Sequence, residues 1–329
     1  MKQGIELSAG DQLAAYTIIR ELGRGNNGVV YLARQNVLER QVACKVLLPE
    51  TASDPGYVEA FFREARNAAK LSHPNIVQAL DVGEENGLNY FIMEYVDGEM
   101  LETIRVKNPE RFTPLFMLRI AVQLADALDY AWKQHKMIHG DIKPENIMLQ
   151  HSGGIAKLAD LGVARVAGTQ SDDSLMATPL YVAPEVILGN GGADPRNDIY
   201  SFGVMLYELF CGYPPFTGTA HELIQKHVSE YPLPLIQAAP DLDRELAEFI
   251  DRMLAKLPEN RPQSWQEIRD VLQKILEREK VRSTIKAQPL KNWSDKPKFK
   301  LPQWLNMLIA IGLSGLIAYL LIRICRMMQ

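Results

Sequence analysis

The sequence predicts an α+β architecture in two unequal lobes, a small β-rich N-terminal lobe and a larger helical C-terminal one, followed by one C-terminal transmembrane helix. Three observations carry this. At 329 residues the chain exceeds the usual single-domain size, so two lobes or two domains are expected. Short β-type runs dominate up to about residue 96, and beyond it apolar residues recur mostly at helical spacing. From Leu305 to Ile322 every residue is apolar or small except Asn306, Ser314 and Tyr319.

Composition excludes several function classes. A hydrophobic content of 47% and a charged content of 23% are ordinary for a globular chain. The net charge of −4 gives no reason to expect nucleic acid as a partner. Three well-separated cysteines, Cys44, Cys211 and Cys325, fit reduced thiols in a cytosolic compartment rather than a disulfide framework. The six histidines show no paired metal-ligand spacing, so a zinc site is not expected. Met1 to Gln12 is mixed and polar, unlike a signal segment.

In chain order, Tyr16 to Leu22 and Val29 to Arg34 read as strands around Gly23-Arg-Gly25-Asn-Asn-Gly28. Alone, this glycine spacing is shared with dinucleotide-binding folds and with ordinary Gly/Asn turns. A Rossmann fingerprint needs a helix after the glycines. Here a strand follows, so the glycines form a hairpin tip, and an oxidoreductase reading fails. Val42-Ala43-Cys44-Lys45-Val46 is an apolar strand with one ammonium inside it, which needs a partner if buried. Glu64 is the candidate, on a helix predicted over Val58 to Leu71; a surface salt bridge of little weight is the alternative. Leu88 to Met93 reads as a further strand, and Phe116 to Lys136 as a helix.

The most telling stretch is His139-Gly-Asp141-Ile-Lys143-Pro-Glu-Asn146, followed by Asp160-Leu-Gly162. Ile147 to Leu149 and Ala156 to Leu158 read as strands, so the polar groups sit on loops at strand ends. Hard oxygen donors for magnesium, a carboxylate facing an attacking hydroxyl and an ammonium beside a moving phosphoryl make a site for a metal-bound polyphosphate.

These residues resemble the catalytic loop and magnesium-binding loop of eukaryotic-type (Hanks-type) serine/threonine protein kinases, in a bacterial-like, membrane-anchored form. The resemblance runs in order over residues 12–278. It implies a bilobal kinase fold, with an N-lobe over about 12–96 and a C-lobe over about 97–278. ATP would lie under Leu22, Gly23, Gly25, Gly28, Val30 and Ala43. Met93 would guard the back of the pocket, or serve simply as core, and Glu94 and Val96 would receive adenine at the hinge. Lys45 and Glu64 match the phosphate-binding lysine and its helix partner. Asp141 would act as base and Lys143 would stabilise the transferred group. Asn146 and Asp160 would hold Mg2+, with Mn2+ as a substitute. Thr178-Pro-Leu-Tyr-Val-Ala-Pro-Glu185 is similar to the substrate-docking segment, with Glu185 pairing Arg261, and Asp198 would steady the catalytic-loop backbone. The implied reaction is phosphoryl transfer to Ser/Thr of protein substrates, itself included. The rival is a pseudokinase scaffold, but such proteins generally lack one of Lys45, Asp141, Asn146 and Asp160. Gly140 replaces an arginine that usually reads activation-loop phosphorylation. Leu161 replaces Phe, and Ala177 stands where glycine is common.

Within the C-terminal stretch 304–322, the eighteen residues Leu305 to Ile322 span roughly 27 Å as a helix, near the ~30 Å of a bilayer core. It shows no wide polar face, unlike a soluble helix. Trp304 and Tyr319 lie near its ends, as interfacial aromatics do. Lys286, Lys291, Lys296, Lys298 and Lys300 face one Asp295 before it; Arg323 and Arg326 follow. A single-pass protein of the cell membrane is expected, with its kinase part cytoplasmic. Residues 279–303 would be a basic juxtamembrane linker that solubilises or meets anionic lipid, and 323–329 a short tail. Seven residues after Ile322 leave the span as an anchor rather than a link to a sensor domain. Ala310, Ser314 and Ala318 form a small-residue row that permits a homodimer or reflects composition alone.

Overall fold

The computed structural model describes residues 7–25, 28–160, 165–166 and 179–287. The N-terminal lobe is an antiparallel sheet of β1 (Gln12–Leu13), β2 (Tyr16–Arg24), β3 (Gly28–Gln35), β4 (Arg40–Leu47), β5 (Ala79–Glu85) and β6 (Leu88–Glu94), in the order β1-β2-β3-β4-β6-β5. Strands β3, β4 and β6 are near-continuous apolar runs with both faces largely covered, as their sequences suggest. Val29, Tyr31, Ala33, Val42, Cys44, Val46, Tyr90 and Ile92 pack together on one face. Cross-strand partners share a face, and Val30 pairs with Lys45 while Ala43 pairs with Met93. The opposite face therefore carries Val30, Ala43, Lys45 and Met93 together.

A short α1 (Pro49–Ala52) leads into α2 (Pro55–Ala68). Asp54 caps α2 by accepting from Gly56 N–H, with Pro55 at the first turn. The helix starts before the predicted Val58 because cap and proline fix a first turn that lacks an apolar stripe. It ends at Ala68, and Leu71 packs from the following turn against Phe61, Ala65 and Phe91.

The C-terminal lobe opens with β7 (Gly98–Met100) and α3 (Leu101–Lys107). Next comes α4 (Pro114–His135), started by Thr113 accepting from Phe116 N–H and ended by Lys136 at φ +51°. Then come β8 (Met137–Ile138), β9 (Ile147–Gln150), β10 (Ala156–Leu158) and β11 (Arg165–Val166); β9 pairs with β7 and β10, and β11 with β8. The remaining helices are α5 (Pro184–Ile187), α6 (Pro195–Cys211), α7 (Ala220–Ser229), α8 (Leu235–Ala238), α9 (Arg244–Met253) and α10 (Trp265–Ala287). Helix α6 runs through the core, where Ile199, Tyr200, Phe202, Val204, Met205 and Leu206 are fully buried. Buried on all sides, it offers its polar groups as internal anchors.

Cys44 and Cys211 are free thiols, and burial pushes the Cys44 thiol up to about 12, which leaves it unreactive. Helix α10 continues past residue 278 to Ala287, so the first residues assigned to a linker are helical. The predicted span 304–322 lies outside the described residues, as does most of the linker. Among the described residues no helix is long and apolar enough to cross a membrane.

Candidate active site

The glycine segment closes as a hairpin: Arg24 pairs with Val29, and Gly25 N–H donates to Gly28 O at 2.9 Å. A Cβ on Gly28 would lie 2.7 Å from Val46 O, so glycine lets β3 approach β4 there. Leu22, Gly23 and Gly25 are exposed at the rim, and Ala43 and Val96 are buried beneath. Residues 26 and 27 are outside the described set.

Lys45 Nζ donates to Glu64 Oε1 at 3.0 Å and Oε2 at 3.2 Å, and to Asp160 Oδ1 at 3.3 Å. One ammonium thus joins a strand, a helix and the loop after β10. Glu64 is 8% exposed, so this is no surface pair. Burial works against the Lys45 charge, but the two carboxylates overcome it and hold the pKa above the usual lysine value. Burial likewise raises Glu64, to about 7, against the pull of Lys45. Asp160 goes the other way: loss of water would raise it, but Lys45 and hydrogen bonding from Glu64 keep it below the usual carboxylate range. Burial thus disfavours the charged form of Glu64, whereas the neighbouring ammonium favours the charged form of Asp160. Asp160 has φ +59°, a left-handed backbone at some cost for a non-glycine residue, and this turn aims its carboxylate at Lys45.

The residues of the expected catalytic loop meet below. Lys143 Nζ lies 2.6 Å from Asp141 Oδ2. Asn146 Nδ2 donates to Asp141 O at 2.8 Å and to Asp141 Oδ2 at 2.9 Å. Ala159 N–H donates to Asn146 O at 2.8 Å, which ties this loop to the residue before Asp160. Asp198 enters from α6 and accepts from His139 N–H at 2.6 Å and Gly140 N–H at 2.8 Å. Gly140, at φ +82°, turns the backbone so that both amides face that carboxylate. Asp160 and Asn146 offer hard oxygen donors from adjoining strand ends. Among the described residues no group of three or more His, Cys, Asp or Glu could hold a metal alone.

Glu185 and Arg261 form the expected bidentate pair, at 2.7 and 2.8 Å. Thr178 is outside the described residues. Sequence reasoning missed Lys157, whose Nζ donates to Glu94 Oε2 at 3.0 Å and so links the hinge to the strand before Asp160. A lysine in an apolar strand was the available signal, the same one that marked Lys45. It also missed Tyr181, whose hydroxyl donates to buried Glu208 at 2.7 Å, and His227.

A lysine paired under a sheet, above the loop of Asp141 that Asp198 ties to a buried helix and the loop of Asp160, is the arrangement of the protein kinase class of fold. The protein kinase domain family matches residues 16–275, and the chain belongs to that family. The serine/threonine-protein kinase PknB of Mycolicibacterium smegmatis is 38% identical over 272 residues, 80% of this chain and 43% of that protein. The serine/threonine-protein kinase pkn2 of Myxococcus xanthus is 37% identical over 78% of this chain and 32% of its own length. The chain thus spans less than half the length of these relatives. The PknI kinase domain of Mycobacterium tuberculosis, as a C20A_R136A double mutant, superposes with a TM-score of 0.65 at 31% identity, covering 83% of this chain and 100% of that one.

Proposed function

We propose that this chain is an ATP-dependent serine/threonine protein kinase, which transfers the γ-phosphoryl of Mg-ATP to Ser or Thr hydroxyls of proteins, its own included. The observation that carries the reading is Lys45 reaching Glu64 and Asp160 at once, across 19 and 115 residues of chain. Lys45 neutralises phosphate charge, Glu94 and Val96 present backbone groups to adenine, and Leu22, Val30, Ala43 and Met93 line the base. The glycine hairpin lowers N–H groups over the phosphates. Asp160 and Asn146 hold the divalent ion, Mg2+ with Mn2+ as substitute; when bound it offsets phosphate charge. Asp141, oriented by Asn146 and Lys143, accepts the hydroxyl proton, and Lys143 follows the moving charge. Lysine two positions after the base, with Thr178 in the docking segment, favours Ser/Thr over Tyr acceptors. Residues 304–322 anchor the protein in the cell membrane with the kinase part cytoplasmic, and the small-residue row there permits homodimers. No observation favours the non-catalytic scaffold.

Labelled ATP and Mg2+ incubated with the wild type and with Asp160→Ala test the catalytic assignment. The expected outcome is a roughly 10²–10³-fold or greater loss of incorporation in the variant, in proportion to the charge stabilisation removed. Equal incorporation by both proteins defeats it.

A further inference from the structure

The docking segment is held to the C-terminal lobe through successive backbone carbonyls. Ser201 Oγ–H donates to Tyr181 O at 2.8 Å. One residue earlier, Leu180 O lies 3.0 Å from His227 Nε2. His227 sits in the last turn of α7, fully buried between the rings of Tyr200 and Phe216, with ring centroids 5.7 and 5.1 Å away. Its other nitrogen, Nδ1, lies 2.9 Å from Tyr200 Oη.

The chemistry settles which atom donates. A carbonyl oxygen only accepts, so Nε2 carries the proton, and Nδ1 is left as acceptor for the Tyr200 hydroxyl. The imidazole is therefore a neutral relay, Tyr200 O–H to Nδ1 and Nε2–H to Leu180 O. Lys256 enforces neutrality: its Nζ donates to His227 O at 2.8 Å and Lys226 O at 3.2 Å, and lies 4.7 Å from the centre of the Phe216 ring. Burial and this nearby ammonium push the imidazole down to about 4.

We propose that His227, oriented by Tyr200, is a positioning residue for the protein substrate, fixing the Leu180 carbonyl and with it the docking segment that seats the acceptor peptide. The inference rests on the reading of residues 178–185 as that docking segment. Neither His227 nor Tyr200 belongs to the Lys45, Asp141 and Asp160 cluster, so loss of the relay should weaken acceptor binding and leave nucleotide binding alone. A neutral buried hydrogen bond has a net worth equivalent to about two- to tenfold.

The test uses the full chain, with dephosphorylated casein as acceptor, and compares wild type, His227→Phe, His227→Gln and Tyr200→Phe. Gln keeps an amide N–H near the place of Nε2; Phe keeps the ring volume without the donor. His227→Phe is expected to raise the casein KM about five- to tenfold. The ATP KM and acceptor-free ATP hydrolysis should stay within about twofold, where the single-bond effect vanishes. His227→Gln should restore most of the casein KM, and Tyr200→Phe should raise it by about threefold. A purely structural histidine would shift both KM values together or neither, and either result overturns the proposal. Should His227→Phe not fold, Tyr200→Phe decides: a raised casein KM at constant ATP KM supports the relay, and an unchanged casein KM rejects it. Absence of transfer by the wild type overturns the kinase reading and this inference with it. Transfer with a casein KM untouched by the variants overturns this inference alone.

Discussion

Lys45 and Arg261 each hold a glutamate carboxylate, but the two cations are treated differently. Lys45 is 21% exposed and divides itself between Glu64 and an Asp160 carboxylate that is half open to solvent. Arg261 has no exposed side-chain surface and spends its guanidinium on five bonds, to Ala255 O, Arg196 O, Lys256 O and both oxygens of Glu185. Its guanidinium also lies 4.8 Å from the centre of the Tyr200 ring. The first arrangement leaves charge poised for an incoming polyanion; the second leaves nothing to bind. A buried ion pair with every donor used serves as a fastener, whereas a shared, half-open one can exchange partners.

That contrast is broken most sharply by deleting the fastener. Arg261→Ala strands Glu185 with its carboxylate unpaired, at a cost of roughly 3–5 kcal/mol. Lys45→Met should cost only about 1 kcal/mol in stability, because Glu64 already lies near neutral titration and can take up a proton. Its effect should fall on turnover, down roughly 10²–10³-fold through loss of charge stabilisation. Thermal unfolding with a parallel incorporation assay checks both. If Lys45→Met lowers Tm as much as Arg261→Ala does, the distinction fails.

Acidification sharpens the comparison at a middle scale. The folded pKa of His227 is about 4, below the ordinary value of 6.5. The neutral imidazole therefore contributes stability that is fully present above pH 6.5. It is lost as pH falls from there and levels off below about 4, amounting to about 3 kcal/mol by pH 4. Groups facing it are Tyr200 and Lys256, and Lys256 stays protonated throughout this window. Denaturant titrations between pH 7 and 4 should show this slope in the wild type, and a shallower one in His227→Gln, which has nothing to titrate. Parallel slopes would mean that other groups govern acid sensitivity.

Much of this was legible in the sequence because strand and helix carry local periods. The apolar, β-branched runs of β3 and β4 marked strands, and the helical spacing of Phe61, Ala65 and Ala68 marked α2; Lys45, Glu64 and Asp160, picked out in order along the chain, come within hydrogen-bonding distance. What stayed hidden depends on contacts remote in sequence. Strands of two or three residues such as β7, β8 and β11 carry no readable period. The bonds from His227 to Leu180 and from Lys157 to Glu94 span 47 and 63 residues. Nothing in the local pattern of α7 separates a relay histidine from a core one, and only the fold brings Tyr200 and Leu180 to its two nitrogens. Asp198 was found because a motif named it. His227 had no motif to name it.

The smallest expected effect concerns Gly140. Its φ of +82° and the bonds from the His139 and Gly140 amides to Asp198 belong to one turn, which a side chain would strain. Gly140→Ala should cost about 1–2 kcal/mol in stability by that strain, while Asp141 keeps its contacts with Asn146 and Lys143. Glycine here also removes the guanidinium through which related kinases sense a phosphorylated activation segment. Combined alanine replacement of Thr169, Ser171 and Ser174, which lie outside the described residues, should therefore change turnover by less than about fivefold, the low end of allosteric coupling. Steady-state phosphorylation of casein by that triple variant decides the matter. A collapse in turnover would mean that some cation other than one at position 140 reads the phosphate, and the catalytic loop would then be switched rather than permanently set.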